Sequence, residues 1–531
     1  MSVFQTHLST LQARVAEHPT TPALRIPDVG SGETNWIDIP YSQFQDDVET
    51  TARYWAHEFS KRGFHDRSVI GLWLKGISYT DLVHLWAISR AGFIPQPISL
   101  RMTDPAVTYE LLDRAGAVGL IHDPSFKSLL ENSPVPAWPA GGIMASDLQH
   151  LPLPELWRPS HADDITMIYH TSGSSSGRPQ LVPMTALWLD FTIEKTSELL
   201  PSSPESKGQQ VTVPAGSFCH IGSTLTFIDS IRRSGCFILP TMIPYPVSEL
   251  RRIIDDCGLT ILTMFSAFVS KVFDEARRDS SLLGSLQRLD NVIYGGQALD
   301  SADETWARES GLGPVNVFAG TEVGVMLVSS EHYTEAGYLL EVFNGSNYEF
   351  IPVPASSDAS EKLLELVVPP ESRDCPAPSL RSLEDGKFHT GDLFVEVSPG
   401  QYQAKGRQDD WIKMETALRC DTGSLERNAM ESCGSDLISA AVVVGAERSS
   451  PVLIVEPKDG ASDEEISHLK DKILARITAF HKRRYVHERI DDTRFILVVP
   501  RGTLPRTATK GNIQRKKVEE SLRNELDKIY S

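Results

Sequence analysis

Cysteine is scarce and unpatterned in this chain. Six occur in 531 residues: Cys219, Cys236, Cys257, Cys375, Cys420 and Cys433. None forms a C-x-x-C pair and no histidine cluster flanks them, which excludes a disulfide framework or a zinc site and fits a reducing compartment. Positive charge is in deficit as well. Lys and Arg number 51 against 70 Asp and Glu, a formal net charge of −19. An acidic surplus spread along the chain argues against a nucleic-acid or anionic-membrane partner, though not against one small anion in a local positive site. Long apolar runs are missing too, and none approaches the roughly 20 residues that span a bilayer. The opening MSVFQTHLST has no basic region followed by an apolar one, so no signal peptide is expected. These absences predict a cytoplasmic protein with no nucleic-acid or membrane partner, and a monomer is expected.

What is present is a chain too long for one core, so at least two domains are expected. Short apolar runs alternate with helical patterns. Ser68 to Leu74, Phe93 to Ile98, Ala117 to His122, Ile165 to Tyr169, Val211 to Val213, Phe237 to Leu239, Leu259 to Leu262, Val292 to Tyr294 and Val315 to Phe318 read as strands. Tyr79 to Ala91 reads as a helix, and Val48, Ala52, Trp55 and Phe59 recur at helical spacing. The alternation predicts α/β layers with mostly parallel sheets. From Phe343 to about Pro399, Pro, Ser, Asp and Gly punctuate short strands such as Leu363 to Val368, which predicts a small β-rich subdomain of antiparallel hairpins.

A second domain is expected from Gly406. It carries strands at Ala440 to Val444, Val452 to Val455 and Phe495 to Val499. A Ser462/Glu465 capping box opens a helix with Ile466, Leu469, Ile473 and Ile477 on one stripe,. A basic helix follows from about Ile513, and Pro201 to Gln210 reads as an exposed loop. The boundaries are 1–405 for the large domain and 406–531 for the small α+β one.

Four segments carry chemistry-bearing residues. In YHTSGSSSGRPQLVP, Tyr169 to Pro183, a strand enters a loop crowded with Ser, Thr and Gly. Small residues let backbone N–H groups and hydroxyls approach polyphosphate, but no G-K-[ST] follows, so this is not a Walker loop. A plain surface turn is the alternative. Gly173, Ser175 and Gly177 also match the G-x-S-x-G nucleophile elbow,. A hydrolase would need a later acid and then a His, and Asp392 and His468 could be forced into those roles, with nothing around them in support. NVFAGTEVG, Asn316 to Gly324, follows a strand. Phe318 could stack on a nucleotide base and Glu322 hold Mg²⁺, which prefers hard oxygen ligands. The alternative is a β–α turn with Glu322 in the first helical turn. FHTGDLF, Phe388 to Phe394, precedes GRQDDWIK at Gly406 to Lys413; there Asp392 suits a ribose diol and Arg407 a ribose or phosphate. LPRTATKGNIQRK, Leu504 to Lys516, presents Lys510 ahead of a helix, where one ammonium would neutralise a carboxylate and a phosphate being joined.

In order and spacing the four segments together resemble the adenylate-forming superfamily: acyl-CoA synthetases, nonribosomal-peptide-synthetase adenylation domains and luciferases. The resemblance covers nearly the whole chain. HTSGSSSG, FAGTE and DDWIKMETALRCDT are most similar to adenylation domains of fungal synthetase-like enzymes that activate a carboxylic acid. It implies a large N-terminal α/β domain and a small C-terminal domain that reorients. It implies ATP and Mg²⁺, and a phosphopantetheine thiol, on a carrier-protein domain or on CoA, as acyl acceptor. The phosphate loop would be Thr171, Ser172, Gly173, Ser174, Ser175, Ser176 and Gly177. Phe318 and Ala319 would sit at the adenine, Thr321 at the α-phosphate, Glu322 on the metal, and Asp392 and Arg407 at the ribose. Asp409 would be the hinge and Lys510 the adenylation lysine.

Several residues depart from the family pattern. The loop has one extra Ser, Gln180 replaces its common lysine, and Ala319 and Thr416 replace glycines. Lys510 precedes Gly511 rather than following a glycine, and counting back from Arg515 puts the lysine site at Asn512. Loss of catalysis, leaving a nucleotide-binding module, is therefore a second reading. In amino-acid-activating members a carboxylate pairs with the substrate ammonium. The matching stretch, GSFCHIGS at Gly216 to Ser223, offers Cys219 and His220 instead. An unpaired buried ammonium is costly, so a carboxylic acid without an α-amino group is expected. By resemblance, Val292, Tyr294, Gly295, Val317, Val325 and Met326 would line its apolar pocket; core packing accounts for the same composition.

Overall fold

A computed structural model describes the chain except residues 1–3, 29–34, 99–104, 142–147, 149, 172–179, 197–207, 297, 335–336, 354–361, 409–410, 416–418, 459–467, 483, 485, 507–511 and 531. Ser462, Glu465 and Ile466, and most of the 201–210 loop, thus lie outside the described residues. Two compact units result. One comprises residues 1–171, 179–348 and 368–388; the other comprises 172–178, 349–367 and 389–531. The expected boundary at 405/406 falls inside the second unit.

In the first unit, Val69–Trp73 lies between parallel neighbours Ile94–Ile98 and Ala117–His122, with Ala137–Pro139 at the edge. Helix Tyr79–Arg90 crosses over between the first two, capped reciprocally by Ser78 and Asp81. Ten of its residues are buried, so it is covered around nearly its whole circumference, with the polar Asp81, His84, Ser89 and Arg90 buried alongside six apolar side chains. Helix Tyr41–Ser60 buries Phe44, Val48, Ala52, Trp55 and Phe59 on one stripe. Both helices feed a core of aromatic rings that also takes in Phe218, Phe227 and Phe237.

The larger sheet of this unit is mixed. Parallel strands Val211–Thr212, Ile261–Phe265, Asn291–Gly295 and Pro314–Gly320 form its centre. Two further strands, Gly324–Thr334 and Gly337–Val342, continue it antiparallel. Ile165–Thr171 and Gln180–Thr185 form a separate antiparallel pair. Parallel strands were legible as apolar runs because both faces are covered. The antiparallel additions carry polar residues and gave no such signal.

The second unit has two parts. Glu349–Pro352, Leu364–Val368, Phe388–Ser398 and Gln401–Arg407 supply antiparallel pairs, where Phe350 stacks on Tyr402 with ring centres 3.7 Å apart. Strands Ile438–Val444, Val452–Pro457 and Ile496–Val498 then form a three-stranded sheet. Helices Thr422–Cys433 and Leu469–His481 bury Leu425, Leu469, Ile473 and Ile477 in the core it shares.

Candidate active site

The carboxyl ends of the parallel strands, where open α/β sheets bind ligands, hold one set of candidate residues. Phe265, Gly295 and Val317 stand in register across three neighbouring strands. Space there is kept by glycine. A Cβ at Gly295 would lie 3.0 Å from the Val317 carbonyl oxygen, and Gly296, at φ +93°, would bring one to 3.3 Å from the Phe265 ring. A Cβ at Gly216 would stop 3.4 Å from the same ring. His220 presents its imidazole edge-on to Phe265, at 5.8 Å between centres. It caps helix Ile221–Arg232, with Nδ1 accepting from the Gly222 N–H at 3.1 Å. The proton of the neutral ring then belongs on Nε2.

Strand alternation divides the expected pocket residues. Val292 and Tyr294 face the helix-covered core, and the Tyr294 hydroxyl donates to Glu304 Oε1 at 2.6 Å. Val317 faces the opposite side with Ile261 and Ile293. Val292 and Tyr294 therefore do not share the face of Gly295 and Val317, because a period of two sends neighbouring side chains to opposite sides. Cys219 is buried, with Sγ on the Leu74 carbonyl. Burial, with the charge of Asp81, pushes its thiol up to about 12. Val325 and Met326 are also buried. Phe265, absent from the sequence expectation, stands where the apolar run beginning at Leu259 leaves the sheet; its position at a strand end was the available signal.

The segment NVFAGTEVG is a β-hairpin. Gly320 pairs with Gly324 across the three-residue turn Thr321, Glu322 and Val323. Gly324 has φ +80°, the left-handed residue that such a loop requires. Val323 is buried and anchors the turn, while Thr321 and Glu322 are half-buried at its tip and Ala319 is exposed. The expected alternative, Glu322 in a first helical turn, is overturned: a strand follows, not a helix. The Glu322 carboxylate lies over Gly320, with Oε2 3.5 Å from where a Cβ there would be. Half-buried Phe318 pairs with Leu327 at the bulge preceding the turn.

Thr171 pairs with Gln180, so 172–179 connects two antiparallel strands. A nucleophile elbow needs strand, turn and helix; the strand Gln180–Thr185 removes the hydrolase reading. Ser172, Gly173, Ser174, Ser175, Ser176 and Gly177 lie outside the described residues, as do Asp409 and Lys510. In the second unit, Asp392 and Arg407 are paired across neighbouring strands, with Oδ1 3.3 Å from the guanidinium. Gly391, at φ +70°, precedes Asp392 within strand Phe388–Ser398. Its N–H donates to Glu365, which also pairs with His389 at 3.1 Å.

The segment leading into 507–511 is anchored by Glu456. Its carboxylate accepts from the Leu504 N–H and the Arg506 guanidinium, each at 2.9 Å. Burial works against ionisation there, but those donors hold the carboxyl below its ordinary value.

The family model for AMP-binding enzymes matches residues 11–341, and that for the AMP-binding enzyme C-terminal domain matches residues 409–531. The chain belongs to the AMP-binding enzyme family. It is an adenylate-forming ligase: with ATP it converts a carboxylic acid to an acyl adenylate. Relatives include the AMP-binding domain-containing enzyme iboA of Amanita muscaria (strain Koide BX008), 31% identical over 94% of this chain and 98% of that protein. The adenylate-forming reductase stbB of Stachybotrys bisbyi is 23% identical over 85% of this chain, which spans only 41% of the reductase. Among solved structures, the anthranilate CoA ligase AuaEII with anthranoyl-AMP has a TM-score of 0.71 at 17% identity, covering 98% of each chain. The O-succinylbenzoate CoA synthetase MenE of Bacillus subtilis, with ATP and magnesium, has a TM-score of 0.73 at 16% identity over 96% of this chain and 99% of that one. Both share its fold. Among the described residues, no helix is long and apolar enough to cross a membrane.

Proposed function

We propose that this ligase activates an aryl or aliphatic acid lacking an α-amino group and passes the acyl group to a phosphopantetheine thiol on a carrier protein. One observation carries the choice of acid: Gly216, His220, Phe265, Gly295 and Val317, at the strand ends, include no carboxylate to face an ammonium. Asp81, whose charge reaches Cys219, is committed to the N–H groups of Ile77 and Ser78 at the start of its own helix. An ammonium bound there would lack a counter-charge. The flat face of Phe265 and the glycines around it suit a planar or slender acid.

In the first half-reaction the acid's carboxylate attacks the α-phosphorus and pyrophosphate leaves. Alignment and charge neutralisation carry such transfers. Thr321 donates to the α-phosphate from the hairpin tip, Phe318 stacks on adenine beside Ala319, Asp392 accepts from the ribose hydroxyls with Arg407 holding its carboxylate, and Lys510 neutralises the joined oxygens. Thr171 to Gly177 cradle the departing phosphates. Glu322, a half-buried carboxylate at the hairpin tip, would hold a magnesium ion, which is bound through one or two carboxylates plus phosphate oxygens rather than a protein cage. When bound it supplies neutralisation of the phosphate charge. In the second half-reaction a thiolate attacks the acyl carbonyl and AMP leaves.

CoA as acceptor is the second reading, favoured by 32% identity over 154 residues to the 3-hydroxybenzoate–CoA ligase of Aromatoleum sp.. Acid-dependent ATP–pyrophosphate exchange across aryl, aliphatic and α-amino acids tests the proposal. Exchange with an aryl or aliphatic acid, and acyl loading of a pantetheinylated carrier but not of CoA, is expected. Exchange confined to amino acids would overturn the acid, CoA thioester formation would overturn the acceptor, and ATP binding without exchange would leave only a binding module.

A further inference from the structure

A charged pair is sealed inside the first unit behind the Thr321–Glu322 turn. Lys195, on helix Ala186–Thr196, has its ammonium 2.6 Å from Asp374 Oδ2, and neither side chain has any exposure. The ammonium also donates to the Val325 carbonyl at 2.6 Å and lies 3.2 Å from the Tyr348 hydroxyl. All three of its protons therefore have acceptors. Asp374 is equally satisfied: Tyr348 donates to Oδ2 at 2.5 Å and Ser372 to Oδ1 at 2.6 Å.

A buried ion pair is a poor device for stability, since desolvation offsets the attraction, and apolar residues of similar volume often do as well. What this pair fixes is a backbone position. Val325 pairs with Ala319 immediately after the turn. The same helix touches the turn's own glycine, for a Cβ at Gly324 would lie 3.6 Å from both Trp188 and Thr192. That helix begins directly after Gln180–Thr185, the strand that leaves the Ser/Gly loop. The helix that follows the Ser/Gly loop and its strand in the chain thus also packs against the hairpin's glycine.

We propose that Lys195 is a positioning residue for adenylation: paired with Asp374, it clamps the Val325 carbonyl and so sets the placement of Thr321 and Glu322 at the hairpin tip. This rests on the role given to that tip above. A small displacement there is costly, because misplacement by about 1 Å can lower a rate about 100-fold.

The test uses full-length Lys195→Met and the double variant Lys195→Met/Asp374→Asn, which leaves no unpaired charge inside. Both are assayed for chemical unfolding and for exchange with an acid the wild type accepts, varying ATP, acid and Mg²⁺. The double variant is expected to unfold near the wild-type midpoint and to lose about 10- to 100-fold in kcat. Half-saturating Mg²⁺ should rise while KM for the acid stays within about twofold. A merely structural pair would move the midpoint and leave the Mg²⁺ dependence alone. A folded double variant with wild-type kcat and Mg²⁺ dependence overturns the proposal, and so does failure of the double variant to fold, which would make the pair a scaffold requirement. If the wild type itself exchanges with no acid, the adenylation reading falls instead, and Mg²⁺-dependent ATP affinity of the double variant then decides the positioning role: unchanged affinity rejects it and weakened affinity supports it.

Discussion

At the scale of single residues, location on a strand decides role more firmly than residue type. Tyr294 is aromatic, near the right motif and matched to a pocket position by resemblance, yet it faces the core and bonds Glu304. Tyr294→Phe removes that hydroxyl and leaves the buried Glu304 oxygen one donor short. A loss of about 1–2 kcal/mol in unfolding free energy is expected, with acid preference in the exchange assay unchanged; altered preference would return Tyr294 to the pocket. His7 supplies a pH dependence. Its ring is buried edge-on against Trp86, both ring nitrogens lack a hydrogen-bond partner among the described residues, and burial lowers its pKa to about 3. The unfolded chain takes up that proton near the ordinary value of about 6.5. Stability held above pH 6.5 is therefore lost as pH falls towards 3, because only the unfolded state gains the proton over that interval. In unfolding titrations between pH 7 and 4, His7→Leu should show a shallower decline than wild type; equal slopes would assign the decline to other groups.

At the scale of elements, the turn after FAG is the test of how local sequence builds the site. Gly324, at φ +80°, closes the three-residue loop, and helix residues Trp188 and Thr192 sit against it. Gly324→Ala forces a side chain into a backbone conformation it resists, a strain of about 1–2 kcal/mol. Exchange is expected to fall about tenfold or more with the protein still folded by circular dichroism; full activity would show that the hairpin tolerates a shifted tip. This hairpin was only half legible in the sequence. Gly324, four residues beyond Gly320, was a turn signal, but a strand ending in small residues also fits a β–α turn, and the rhythm of the preceding chain favoured a helix. The parallel strands were legible because burial on both faces writes them as continuous apolar runs. The buried pair had no local signature: Lys195 and Asp374 are 179 residues apart, and a lone lysine in an amphipathic pattern reads as solvated. Their meeting is set by the path of the chain after Leu364–Val368, which sequence periodicity does not encode.

At the scale of the whole molecule, the C-terminal region carries a core of its own. Residues from Ile412 to Leu526 form one apolar cluster drawn from both sides of its three-stranded sheet. Such a core is what a region needs if it is to move as a body; the sequence pattern pointed to a boundary at 405/406, whereas the second compact unit also takes in 172–178, 349–367 and 389–405. The assignment of Asp409 as hinge follows from resemblance, at the first residue matched by the C-terminal family model. Proline there would lock φ near −65° and remove an N–H, restricting rotation at that residue. A hinge predicts that the two half-reactions separate. Asp409→Pro should keep ATP–pyrophosphate exchange within about threefold of wild type while thioester formation, followed with a pantetheinylated acceptor, falls about tenfold or more, which is about 1.4 kcal/mol of barrier. Equal losses in both half-reactions would mean that proline disturbs a fixed site, and the turning point would have to lie elsewhere in the chain.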